Sequence, residues 1–69
     1  MKVEYDPVRD LLFVAFAPAG ATAATTEVVR PGVHIDFDVD GRMIGIEVLD
    51  AREVLGEAPS VEVQLAPTG

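Results

Sequence analysis

The chain has 69 residues, with five Lys and Arg against twelve Asp and Glu, a formal net charge of −7 and no cysteine. These figures allow one domain, exclude disulfides and thiolate metal sites, and argue against nucleic acid as a partner. Below roughly 70–80 residues one core stabilises a fold by only a few kcal/mol, so a chain without disulfides needs an unusually good core, a hard metal ion or a second copy of itself.

With 49% apolar and 25% charged residues the chain is expected to fold as an ordinary globular domain. Lys2 is followed by Glu4 and Asp6, which does not read as a secretory segment, and the weakly charged stretch Leu11 to Thr26 is broken by Pro18 and Gly20. A cytoplasmic protein without a membrane partner is therefore expected. The acidity is uneven: residues 1–30 carry four acids and three bases, whereas residues 36–62 carry eight acids and only Arg42 and Arg52.

Short alternating runs punctuated by turn residues predict an antiparallel sheet. The first strand is Val3 to Tyr5, closed by Asp6-Pro7-Val8-Arg9, where Pro7 suits the second position of a type I turn and Asp6 can accept a backbone hydrogen bond. The second strand, Leu11 to Phe16, is apolar on both faces and belongs inside a sheet covered on both sides. Pro18 to Thr25 reads as a surface loop leading into a short strand, Thr26 to Val29.

Pro31-Gly32 then turns the chain into a hairpin of Val33 to Phe37 and Met43 to Leu49. A two-residue type I′ turn at Asp40-Gly41 sets Val39 opposite Arg42 and pairs Phe37 with Ile44, Ile35 with Ile46 and Val33 with Val48. Asp50-Ala51-Arg52-Glu53 has capping-box spacing, with Leu49 and Val54 as a hydrophobic staple and Gly56 as the stop of a one- or two-turn helix. Packing through Ala51, Val54 and Leu55 would have to stabilise so short a helix. The tail alternates again over Val61 to Leu65 and predicts a possible sixth strand. The expected architecture is thus α+β: a small antiparallel β-sheet of five to six strands with one short α-helix after the Asp-Gly hairpin.

Asp36, Asp38 and Asp40 with Gly41 and Glu47 satisfy a calcium-loop pattern. Both flanks alternate with period two rather than as helices, however, and the hairpin sets Glu47 about 13 Å along from Asp38 at about 3.3 Å per residue. A turn is therefore the expected reading, leaving weak cation binding by the loop-tip acids as the residual one. His34 falls on the second face of the hairpin with Asp36 beside it and Glu47 opposite, so His34, Asp36, Asp38, Asp40 and Glu47 are the weak metal candidates. A plain cross-strand His–Glu pair is the simpler account. With Ser60 the only serine, beside Pro59 in a linker, no catalytic constellation stands out and no cofactor is expected. Gly45 sits mid-strand opposite Asp36, which suggests a bulge or a close backbone approach.

Tyr5-Asp6-Pro7, Asp10 with Leu12-Phe13-Val14, Gly32-Val33 with Asp36-Phe37-Asp38, and Gly41-Arg42 with Gly45-Ile46-Glu47-Val48-Leu49-Asp50 together resemble domain of unknown function 2283 over roughly residues 3 to 51. Phe13 stands where that family commonly has Tyr, and Arg52 where a small Ser often follows Asp-Ala. The resemblance implies a small prokaryotic domain with no established activity, catalytic residue or cofactor. Relatives encoded near small toxin-like proteins make a partner-binding, antitoxin-like role imaginable.

One domain spanning residues 1–69 is expected, its family-like core at 3–51 and its tail at 57–69, acting by self-association, in a dimer, rather than by catalysis. One short helix covers one sheet face, so Leu11 and Phe13 need another cover, and the tail residues Val61, Val63 and Leu65 could pair with a partner's edge. The alternatives are an acidic module that neutralises a basic protein and a divalent-metal-binding protein.

Overall fold

In the computed structural model, which describes residues 1–67, the strands β1 (Lys2–Asp6), β2 (Leu11–Ala15), β3 (Thr25–Arg30), β4 (Val33–Phe37) and β5 (Met43–Val48) are followed by the helix α1 (Ala51–Leu55). The strands form one five-stranded sheet in the order β1-β2-β5-β4-β3, with every neighbouring pair antiparallel. β2 lies inside the sheet, between β1 and β5, as its two apolar faces require. Among the described residues no sixth strand forms: Val61, Val63 and Leu65 lie outside the sheet and are 58%, 81% and 88% exposed. Residues 68 and 69 of the expected tail lie outside the described residues.

The first turn closes as its residue types dictate. Asp6 Oδ1 accepts the backbone N–H of Val8 at 2.9 Å and of Arg9 at 3.1 Å, an Asx-type turn around Pro7. Asp10 ends that turn with φ 55°, a left-handed conformation that Asp tolerates better than most residues.

The β4–β5 hairpin departs from the expected turn. Gly41 N–H donates to the Asp38 carbonyl at 3.0 Å and Asp38 N–H to the Arg42 carbonyl at 2.9 Å, so the loop is the three residues Val39, Asp40 and Gly41. Asp38 Oδ1 accepts the N–H of Asp40 at 2.9 Å and of Arg42 at 2.8 Å, which stabilises this turn over the two-residue type I′ form. Gly41, at φ 81°, supplies the left-handed third position that such a loop needs. Phe37 consequently pairs with Met43 rather than Ile44, and an irregularity beside that pair restores the expected register at Asp36↔Gly45, Ile35↔Ile46, His34↔Glu47 and Val33↔Val48.

Directly opposed residues share a face of the sheet. The cross-strand pairs therefore place Val3, Tyr5, Leu12, Val14, Val33, Ile35, Ile46 and Val48 on one face, with charge only at the β3 margin. The opposite face carries Lys2, Glu4, Leu11, Phe13, Ala15, Gly45, Glu47, His34 and Asp36. We call these the apolar face and the polar face.

α1 runs a single turn and a half, ended by Gly56 at φ 81°. Its start contradicts the capping box: Asp50 has φ 51° and makes no side-chain cap bond. The cap comes instead from Asp10, about 40 residues away. Its carbonyl accepts Ala51 N–H at 3.0 Å, and its carboxylate accepts Arg52 N–H at 3.2 Å on both oxygens. Ala51 is consequently the most enclosed residue of the core, at 0% exposure. Val54 and Leu55 remain 42% and 48% exposed, so the helix seals one end of the sheet rather than covering a face.

Candidate functional site

Three groupings could carry a function: the acid cluster on the polar face, the junction that holds α1, and the apolar face. On the polar face Asp36 accepts the Thr26 hydroxyl at 2.5 Å, and Glu47 stands opposite His34 as the hairpin register predicts. The Glu47 carboxyl is pushed above its ordinary range, first by its hydrogen bond to Asp36, then by partial burial and the charge of Asp36, with His34 opposing. The nearness of Asp36 therefore favours the protonated form of the Glu47 carboxyl.

A cavity of about 300 Å³ reaches Asp36 and is lined by Phe13, Ala15 and Gly45 on the sheet and by residues of the loop 17–23. Gly45 is explained here. A Cβ on it would stand 3.2 Å from the Val14 carbonyl oxygen and 3.3 Å from the Phe13 ring, so any larger residue would lift that ring or part β2 from β5. Phe13 and Leu11, expected as interface residues, are half-buried, and Phe13 lines this cavity.

The metal candidates are not brought together as one ligand set. Asp38 is turned onto the backbone of its own hairpin, and Asp40 faces the Arg42 guanidinium at 3.5 Å at the exposed tip. His34, Asp36 and Glu47 share the polar face two pairs farther along. Among the described residues no three His, Asp or Glu side chains converge closely enough to hold an ion.

At the second grouping, Tyr5 Oη donates to Asp10 Oδ1 at 2.6 Å. That bond holds the Asp10 carboxyl below its ordinary range, helped by the Arg52 amide, and raises the Tyr5 phenol above its own. Tyr5, Asp10 and the start of α1 thus form one unit that links the β1–β2 turn to the helix. Sequence reasoning missed it, because the partners lie some 40 residues apart and a local acid, Asp50, has the right spacing to serve as cap.

The apolar face is the third grouping. Val48, at 8% exposure, is the only side chain on it that is buried, and its central residues Leu12, Val14, Ile35 and Ile46 are left half-buried. Among the described residues no helix is long and apolar enough to cross a membrane. A family model described as a protein of unknown function (DUF2283) matches residues 2–52. No curated protein and no solved structure matches the chain. The match takes in the whole sheet and the start of α1, and the chain belongs to the DUF2283 family.

Proposed function

We propose that this DUF2283 chain is a non-catalytic module that acts through self-association. The observation behind the reading is the thinness of its core, since among the described residues Val48 and Ala51 are the only buried hydrophobic ones and no large side chain is fully enclosed. A 69-residue chain with no cysteine has little else to stabilise it, and a second copy supplies the missing cover without a further component. Sedimentation velocity over a range from about 1 to 100 µM tests the reading: a species of twice 7.3 kDa is expected, and a folded monomer across that range contradicts it.

A second reading, an acidic surface that captures a basic protein, draws on the net charge of −7. Several acids already have local work, however, with Asp38 on its turn, Asp10 on α1 and Asp36 on Thr26. The two readings separate by salt. Capture of a cationic protein weakens as salt rises, whereas association of two copies each carrying −7 strengthens.

A further inference from the structure

We infer that the docking surface for the second copy is the apolar face centred on Leu12, Val14, Ile35 and Ile46, an inference that rests on the self-association reading and names the surface that serves it. Coverage is the first argument. On the polar face the loop of residues 17–23 and Phe13 line one cavity, whereas on the apolar face Leu12, Val14, Ile35 and Ile46 keep part of their surface open to solvent.

Charge is the second. Two chains of net charge −7 repel each other, so they approach best through surfaces that carry none of that charge. The opposed positions of β2, β5 and β4 on this face are all apolar, whereas His34, Asp36 and Glu47 occupy the reverse side. A pairing through the polar face would bring two Asp36–Glu47 pairs together.

Area is the third. A compact monomer of this mass exposes about 4,200 Å², whereas this chain exposes 5468 Å². Its radius of gyration, 13.3 Å, likewise exceeds the roughly 11 Å of a compact chain of this length. The surplus of about 1,300 Å², to which the exposed tail contributes, exceeds the roughly 800 Å² per partner that a stable interface removes.

The sheet edges disfavour the competing arrangement. β1 presents the Lys2–Glu4 ion pair at 2.9 Å, and β3 carries an irregularity between Val28 and Arg30 that interrupts its ladder. Charges and bulges are devices that blunt edge-to-edge pairing. A face that must be covered whenever the chain folds needs a cover that is always present, and a second copy of the chain meets that requirement. The dimer is then a two-layer sandwich with the two apolar faces inward.

Isotope-filtered NMR on an equimolar mixture of ¹³C-labelled and unlabelled wild-type chains reads the surface directly. Intermolecular contacts to the methyl groups of Leu12, Val14, Ile35 and Ile46 are expected. Intermolecular contacts confined to Leu11, Phe13 or the tail residues Val61 to Leu65 would overturn the inference while leaving self-association standing. A monomer in sedimentation overturns both. Two variants give an independent check: Ile46→Asp should raise the dissociation constant by about 30-fold or more, the size of an interface hot spot, while Phe13→Asp leaves it within a few-fold. The reverse order of the two variants would overturn the inference, and the filtered spectra, which need no substitution, decide the matter if Ile46→Asp does not fold.

Discussion

Asp10 and Asp50 show how much a single residue's backbone decides. Both hold left-handed conformations, at φ 55° and φ 51°, but only Asp10 offsets that cost with side-chain bonds, to Tyr5 and to the start of α1. Asp50→Gly should therefore stabilise the fold by up to about 1 kcal/mol, because glycine adopts this conformation without the steric cost. A loss of about 1 kcal/mol in urea unfolding, as expected of a true helix cap, would contradict this. Asp10→Asn keeps the shape and removes the charge, and should lower stability at pH 7. Its pH dependence has a definite sign. Asp10 titrates below its unfolded value of 3.8, so its contribution is present above that pH and disappears as pH falls through the folded value. The gap between wild type and Asp10→Asn should close in acid. Glu47 behaves in the opposite sense. Its folded pKa lies above 4.5, so its favourable contribution is present below that pH and is lost as pH rises through the folded value. Glu47→Gln should consequently raise stability at pH 7 by about 0.2–1 kcal/mol, the scale of a cross-strand pair, with no gain near pH 4; thermal melts at the two pH values check it.

Among the elements, the strands were legible and their joints less so. Alternation identified all five strands within a residue or two of their ends, and the apolar pairs Ile35–Ile46 and Val33–Val48 set the hairpin register correctly. The turn was misread because Asp-Gly favours a type I′ geometry only when nothing else competes, and the Asp38 carboxylate binds two backbone amides of the longer loop. The irregularity next to Phe37↔Met43 then absorbs the extra residue, so an error at the tip left the body of the hairpin unchanged. The helix cap was misread for a related reason, since local spacing carries no information about Asp10. The tail alternates like a strand but, among the described residues, pairs with neither edge of the sheet. Removing residues 57–69 should leave the sheet intact and change stability by less than about 0.5 kcal/mol, as read by circular dichroism and urea unfolding. A collapse of the fold on this truncation would show that the tail is a structural element after all. Of the expected interface residues, Leu11 and Phe13 lie on the polar side of β2: both faces of this strand are apolar, and only the fold shows that Phe13 and the 17–23 loop line one cavity on that side.

At the scale of the whole molecule, the short chain, the absent cysteine and the charge of −7 describe one design. Most acids of the sheet and its turns lie away from the apolar face, whose eight apolar residues on β1, β2, β4 and β5 meet charge only at Glu27 and Arg30 on the β3 margin, with Val48 alone buried among the eight. Under the proposed self-association such a sheet is half of a sandwich, and folding and association would be one equilibrium. Salt should favour the associated state by screening the repulsion between the two acidic halves. The most direct test of this account is the thermal midpoint measured as a function of protein concentration. A midpoint that climbs steadily from about 1 to 100 µM, with a single cooperative transition, is the predicted result; a midpoint that stays constant across that range would mean that the isolated chain is complete, and would contradict the account.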